Sequence, residues 1–413
     1  MKCRFCSEPV SLPFVDLVNA PPSNSFLTTE QLNEPEVYYP LSVYVCEKCW
    51  LVQVDEYKKS NEIFDQDYAY FSSFSSSWLA HSKAYVEMVT DRLKLDNNSF
   101  VVEVASNDGY LLQNFVKMDI PCLGIEPTAG TAAAAREKGI ETEEKFWGVD
   151  TAKKLVMQRG QCDLMLGNNV LAHVPDINDF IEGFALALKP TGTLTFEFPH
   201  LLNLINFNQF DTIYHEHFSY LSLTAVRKIF AAHKLTIYDV EEVPTHGGSL
   251  RIFIRHEGNT NLPVETSVDN LENREIDAGL RESSGYLGIQ QNTDHIRMEA
   301  LDFLNEQKRN DLKVIAYGAA AKGNTFLNYC GIKGTDLIEY AVDGSHHKQG
   351  MYLPGSHIPI VSEEKIRESK PDFIIILPWN LREEIESQLS YISEWGGRFV
   401  TFIPELKISN SSI

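Results

Sequence analysis

Tyr214-His215-Glu216-His217 puts a phenol, two imidazoles and a carboxylate within four residues. Such a set can hold a metal, with Glu216 or His173 as a further ligand. It can also move protons: one imidazole titrates near neutrality and the carboxylate orients or tunes it. A solvated polar loop is the third reading. In an extended segment both histidines would face one side and Glu216 the other. That alternation counts against a simple three-ligand metal site. Phe210, Phe218 and Tyr220 flank the segment, and rings so placed can restrict water and shift an imidazole pKa.

A second set lies about a hundred residues earlier, in Glu103-Val104-Ala105-Ser106-Asn107-Asp108-Gly109. It closes the β-rich run Phe100–Val104. Ligands of open α/β sheets bind outside the carboxyl ends of the strands. Gly109 can take φ > 0 and let backbone approach a ligand. Glu126 ends the next strand-like run, where an acid can accept both hydroxyls of a ribose. That feature serves nicotinamide and S-adenosylmethionine sites alike. The acid inside the first strand, Glu103, and the lack of a G-x-G-x-x-G pyrophosphate loop favour S-adenosylmethionine. Ser106 and Asn107 in the turn are further candidate contacts. Gly167-Asn168-Asn169-Val170-Leu171-Ala172-His173 follows a later strand, so Asn168 or Asn169 can meet the amino-acid part of such a donor. His173 can reach an acceptor, or be a structural histidine.

The cysteines carry a different chemistry. Cys3 and Cys6 form one C-x-x-C pair, and Cys46 and Cys49 form another. Each spacing presents two thiolates from a tight turn, and two such turns complete a tetrahedral site. Zinc is the first choice, because four thiolates leave no open position for catalysis. Iron in the same cage is the alternative metal, and two disulfides the alternative to a metal. Cys122, Cys162 and Cys330 sit in apolar contexts and read as buried.

These groups need elements to position them. Leu41–Val45 reads as a strand of a small metal-stapled ribbon. Asp67-Tyr68-Ala69-Tyr70-Phe71-Ser72-Ser73 reads as an irregular connection able to cover a site. A helix is expected from Ser77 toward Leu93. Strands are expected at 100–104, 122–126, 163–167 and 193–198, with helical stretches between, which implies a doubly wound parallel sheet. Ser249 to Arg255 alternates apolar and polar, as an antiparallel closing strand would. One or two linking helices should fill 264–310. A second, smaller α/β unit starts at Val314–Tyr317 and the turn Gly318-Ala319-Ala320-Ala321-Lys322-Gly323. Strands at 338–343 and 373–377 complete it. Lys322 is placed to meet a phosphate at a helix N-terminus, with Asn324 beside it. The implied fold is α/β, with a Rossmann-like domain over 67–262. A zinc module (1–66) and a second Rossmann-like domain (263–413) flank it.

A chain of 413 residues is too long for one core. Its net charge of −21 repels phosphate backbones, which argues against nucleic acid as a partner. No apolar run approaches the ~20 residues of a membrane span. The N-terminus has no apolar signal region, so a soluble, cytoplasmic chain is expected. No obligate protein partner is evident.

Together these motifs resemble the sugar C-methyltransferases that act on nucleotide-linked deoxy-4-ketosugars. The resemblance spans nearly the whole chain. It rests on the four-cysteine module, the Tyr-x-Tyr-x-Ser-Ser connection, Glu-x-x-Ser-Asn-Asp-Gly, Asn-Asn-Val-x-Ala-His-Val-Pro-Asp, Tyr-His-Glu-His, and Gly-Ala-Ala-Ala-Lys-Gly. It implies S-adenosylmethionine in the middle domain, structural zinc, and a dTDP- or GDP-linked 4-ketosugar between the middle and C-terminal domains. It implies His217 as the base that takes the C3 proton, lined by Tyr214 and Glu216. His173 would be a second active-site histidine, and Tyr68, ahead of Tyr70, would supply a hydroxyl. Two other functions stay open: an NAD(P)-dependent nucleotide-sugar oxidoreductase using the Gly318–Gly323 turn, and a non-catalytic zinc-dependent nucleotide-sugar-binding protein.

Overall fold

A computed structural model describes residues 1–57 and 71–410. Tyr68 and Tyr70 lie outside the described residues. Three sheets organise the chain. The first contains β1 (Leu12–Ala20), β2 (Tyr39–Val45) and β3 (Val52–Val54), all antiparallel. Cys3 and Cys6 precede β1, and Cys46 and Cys49 follow β2. After each pair a residue turns left-handed, Ser7 at φ 61° and Trp50 at φ 68°. Their amides bond back to Cys3 O (2.9 Å) and Cys46 O (2.7 Å), closing two matching knuckles.

The second sheet holds β4 (Val101–Val104), β5 (Cys122–Ile125), β6 (Thr142–Glu143), β7 (Cys162–Asn168) and β8 (Leu188–Pro199), all parallel. A two-residue strand, β9 (Ser219–Tyr220), instead joins the first sheet beside β3. β10 (Leu235–Val243) and β11 (Ser249–His256) complete the second sheet antiparallel, in the order β10-β11-β8-β7-β4-β5-β6. Chain order reverses between β4 and β7, so a crevice opens at their carboxyl ends. The continuous apolar run of β7 suits a parallel strand covered on both faces.

β11 corrects one expectation. It is antiparallel but not the closing edge, because β10 lies outside it. Its alternation is real, yet both faces are buried. Leu250, Ile252 and Ile254 pack with Phe230. Arg251 lies over the Tyr85 ring of the helix Ser76–Leu93, 4.8 Å from its centroid. That helix starts where Ser75 accepts from Trp78 N.

Two linking helices, Thr266–Asp277 and Ile289–Arg309, lead to the third sheet. It contains β12 (Val314–Tyr317), β13 (Ala341–Val342), β14 (Ile360–Val361), β15 (Phe373–Ile376), β16 (Arg398–Thr401) and β17 (Lys407–Asn410). Their order is β14-β13-β12-β15-β16-β17, parallel except β17. This unit has more strands than the three expected, because β14, β16 and β17 are short and lack long apolar runs. The helix Ala321–Cys330 follows β12.

Among the described residues, the N-terminal module shares its core with the rest of the chain. Val43, Val52 and Val54 share a cluster with Phe210, Leu327 and Phe402. Cys3, Cys46 and Leu51 share another with Phe180 and Ile252. The segment between β8 and β9, which carries Tyr214–His217, is therefore gripped from three sides.

Candidate active site

Residues 214–217 form a reverse turn, closed by His217 N to Tyr214 O at 2.9 Å. The extended arrangement expected from the sequence does not occur, and the two histidines do not share a side. A turn brings residues three apart together, so Tyr214 meets His217. His215 points away and donates from Nε2 to Pro40 O at 3.1 Å, with Tyr39 and Tyr57 edge-on to its ring. It pins the turn to the N-terminal module.

His217 Nδ1 lies 2.8 Å from Thr212 O. A carbonyl only accepts, so Nδ1 carries the proton. Burial, then the neighbouring His173, hold the His217 pKa well below 6.5. The ring is neutral, with its lone pair on Nε2. The Tyr214 hydroxyl donates to that atom at 2.7 Å. His173 repeats the arrangement: Nδ1–H donates to Glu216 O at 2.8 Å, and burial lowers its pKa to about 4. The two rings meet edge to face, 4.6 Å between centroids. Glu216 thus orients His173 through its backbone. Its carboxylate turns to Asn24, whose Nδ2 donates to both oxygens at 2.9 and 2.7 Å.

The turn after β4 borders the crevice at the β4 and β7 ends. Ala105, Asn107 and Gly109 take φ of 58°, 50° and 73°. A Cβ on Gly109 would stand 2.2 Å from Ile140 Cδ1. Asn107 N donates to Glu126 at 2.9 Å, and Thr128 N donates to its other oxygen at 3.0 Å. Glu103 is fully buried, with Tyr110 as its hydrogen-bonding neighbour. Burial, then the Glu126 charge, push its carboxyl well up. Ser106 Oγ, Asn168 Oδ1 and Asn169 Oδ1 are buried without partners among the described residues. These orphaned groups gather at the ends of adjacent β4 and β7. A ligand with an ammonium group and hydroxyls would satisfy them. The donor set therefore fits S-adenosylmethionine.

The third sheet brings a cation. Lys322 Nζ donates to Asn380 Oδ1 at 3.0 Å and sits 4.9 Å from the Trp379 ring centroid. Burial lowers its pKa, partly offset by Asp211. Trp379 Nε1 donates to Asp211 Oδ2 at 2.7 Å. Burial pushes the Asp211 carboxyl up to about 6, against the pull of Lys322 and Trp379. Asp211 precedes Thr212, the residue that anchors His217. Asn324, expected beside Lys322, instead donates to Ser23 O at 2.6 Å and ties down the loop that carries Asn24.

The four cysteine sulfurs lie within 4.8 Å of one another, with Cys3–Cys49 and Cys6–Cys46 each at 3.5 Å. A tetrahedron with ~2.3 Å zinc–sulfur bonds has edges of ~3.8 Å, so the cluster fits zinc. Gln53 Nε2 donates to Cys3 Sγ at 3.3 Å, as a thiolate ligand's outer contact would.

Three family models divide the chain: a zinc binding domain over residues 3–64, a methyltransferase domain over 79–240, and a C-methyltransferase C-terminal domain over 244–404. The C-methyltransferase NovU of Streptomyces niveus is 31% identical over 407 residues, 98% of this chain and 96% of its own. The chain belongs to the C-methyltransferase family. A ubiquinone biosynthesis O-methyltransferase of Rhodopseudomonas palustris strain TIE-1 is 26% identical over 97 residues, 23% of this chain and 37% of that one. Among solved structures, magnesium protoporphyrin IX methyltransferase of Synechocystis PCC 6803 with bound SAM matches 47% of this chain and 88% of its own. Its identity is 14% and its TM-score 0.32, too distant to bear on the site.

This C-methyltransferase transfers a methyl group from S-adenosylmethionine to carbon and holds a structural zinc on Cys3, Cys6, Cys46 and Cys49. Among the described residues no helix is long and apolar enough to cross a membrane. Of the residues singled out in the sequence, Tyr214, His217 and His173 converge. Glu103, Ser106, Asn168 and Asn169 sit at or just beyond the carboxyl ends of β4 and β7. Asn24 bonds Glu216, Thr212 bonds His217, His246 bonds Asn169, and Trp379 packs on Lys322 and bonds Asp211; none of these five was singled out. Only Gly247-Gly248, beside His246, hinted at an unusual turn.

Proposed function

We propose that the enzyme methylates C3 of a nucleotide-linked 4-keto-deoxysugar, dTDP- or GDP-linked, in the cytoplasm, and that His217 is the base. The observation that carries this reading is the imidazole pair. His217 and His173 are neutral and anchored through Nδ1, which leaves Nε2 as the basic atom of each ring, and the two rings stand 4.6 Å apart. Methylation at a hydroxyl has little need of a carbon acid's base, whereas a carbon beside a ketone becomes a nucleophile only after losing a proton.

S-adenosylmethionine supplies an electrophilic methyl group when bound. His217 Nε2 takes the C3 proton, after the Tyr214 hydroxyl that now occupies its lone pair yields that place to the substrate. Thr212 O stabilises the imidazolium by keeping its grip on Nδ1–H. Asn24 fixes Glu216, and Glu216 O fixes His173, so the second ring keeps its place. Tyr68 or Tyr70 would add a hydroxyl. Lys322 would meet the substrate from the C-terminal side, while Asn324 serves by anchoring Ser23. Residues 1–66, 67–262 and 263–413 are the units we assign to zinc, methyl donor and substrate binding.

Mass spectrometry of reactions with S-adenosylmethionine and a panel of nucleotide 4-ketosugars tests the reading. A gain of about 14 mass units on one of them is expected. No gain on any member would overturn it.

A further inference from the structure

Removing a proton beside a ketone leaves negative charge on the ketone oxygen, and that charge needs a hydrogen-bond donor. His217 and His173 cannot provide one. Both spend Nδ1–H on backbone carbonyls, and a neutral imidazole has no second proton. The Tyr214 hydroxyl donates to His217 here, and once the substrate displaces it, it is a second donor beside the one argued below.

A third imidazole of the crevice has the opposite arrangement. His246 sits in the turn between β10 and β11, with φ of 54°, followed by Gly247 at 88° and Gly248 at 108°. A left-handed histidine is costly and persists only where its surroundings hold it. They do so from several directions. Gln209 Nε2 donates to Gly247 O at 2.8 Å, and Ser249 Oγ donates to Thr245 O at 2.9 Å. Thr245 Oγ1 donates to the buried Glu197 at 2.8 Å. Trp379 closes over Gly247, where a Cβ would stand 2.3 Å from its ring. Trp78 meets the His246 ring edge to face at 5.3 Å.

Asn169 decides which nitrogen carries the proton. Its Nδ2 lies 3.2 Å from His246 Nε2, so Nε2 accepts and Nδ1 holds the hydrogen. Nδ1 has no hydrogen-bond partner among the described residues. Burial, then the charge of Lys322, lower the pKa to about 4, so the ring stays a neutral, one-proton donor. Trp379 joins the three groups: it lies 4.9 Å from Lys322 Nζ, covers Gly247 beside His246, and bonds Asp211, which precedes the Thr212 carbonyl that anchors His217.

We propose that His246 is a catalytic residue, whose Nδ1–H donates to the ketone oxygen of the substrate as the enolate forms. This rests on the ketosugar reading above. The C3–H bond breaks, its proton goes to His217 Nε2, its electrons form C3=C4, and O4 takes the negative charge between His246 Nδ1–H and the Lys322 ammonium. Asn169 links this donor to the end of β7, at the edge of the methyl-donor site.

The test uses the zinc-loaded full chain without S-adenosylmethionine, in deuterated water, with the nucleotide 4-ketosugar that the parent enzyme turns over. NMR follows exchange at C3. His246→Ala should slow exchange by about 100- to 1,000-fold, as loss of one oxyanion donor does. His246→Asn tolerates the left-handed backbone and keeps an amide nitrogen near the Nδ1 position. It should recover most of that loss. Parent-rate exchange in His246→Ala would overturn the proposal, and so would equally slow exchange in both variants. Nitrogen-15 NMR of the parent, labelled at histidine, gives a readout that needs no variant to fold. A proton on His246 Nδ1 is expected, and one on Nε2 would overturn the donor role. Absence of exchange in the parent with every ketosugar would instead overturn the substrate reading, and this inference with it.

Discussion

The imidazoles should contribute almost no change in turnover between pH 8 and pH 5.5, although the base is a histidine. An imidazole at its ordinary pKa of ~6.5 would be only ~9% neutral at pH 5.5 and ~3% neutral at pH 5. An enzyme relying on it would slow ~11-fold and ~30-fold at those two values. His217 is buried, faces His173, and lies within reach of the Lys322 charge, and all three causes lower its pKa. His173 and His246 are lowered to about 4. A ring with a pKa of ~4 is still ~90% neutral at pH 5. The loss expected from the imidazoles is therefore below about twofold down to pH 5. One other group of the site titrates in this range: Asp211, at about 6. Any inflection near 6 should accordingly vanish in Asp211→Asn. The assay is kcat for methyl transfer between pH 5 and 8, for the parent and for Asp211→Asn. A tenfold fall between pH 6.5 and 5.5 that survives in Asp211→Asn would refute a neutral, desolvated His217. The same shifts act on stability in the opposite direction. His173 and His246 bind protons more weakly folded than unfolded, so stability is full above ~6.5 and declines as pH falls toward 4.

Trp379→Phe removes the donor to Asp211 Oδ2. A hydrogen bond to a charged group is worth ~1.5–3 kcal/mol, so the Asp211 inflection should move up by ~1–2 pH units. An unmoved inflection would separate it from Asp211. Cys46→Ser should drop bound zinc from about one per chain to a small fraction, read by elemental analysis. Cys46 shares a core cluster with Phe180 and Ile252, so the melting temperature should fall as one transition, not as an early loss of the N-terminal module alone. Gly109→Ala forces a side chain onto φ of 73° and against Ile140. It should cost about 1–3 kcal/mol and weaken S-adenosylmethionine binding measured by calorimetry. Parent-like affinity and melting would place the cofactor elsewhere.

The legible parts of this protein were those written in local pattern. Apolar runs such as Cys122–Ile125 and Phe373–Ile376 stand out because both faces are buried. The cysteine pairs are legible because metal geometry demands that spacing. What escaped were features made by contact between distant segments. Asn24 and Glu216 lie 192 residues apart in sequence, and Asp211 and Trp379 lie 168 apart. No periodicity announces such pairs. The Tyr-His-Glu-His segment is legible in residue type, but its shape is not. Alternation assumes an extended chain, and a turn closed by one backbone hydrogen bond put Tyr214 on His217 and sent His215 the other way. His246 is illegible for the same reason. Its role depends on a left-handed backbone and on Asn169, and neither is visible in residue type alone.

The most direct measurement uses a nucleotide 4-ketosugar carrying deuterium at C3, with S-adenosylmethionine and the parent enzyme. Replacement of that deuterium by methyl adds about 13 mass units to the labelled substrate. That result, with His217→Asn failing to form the product, is expected. A gain of about 14 units with the deuterium retained would place the methyl on another atom and contradict proton abstraction at C3 by His217.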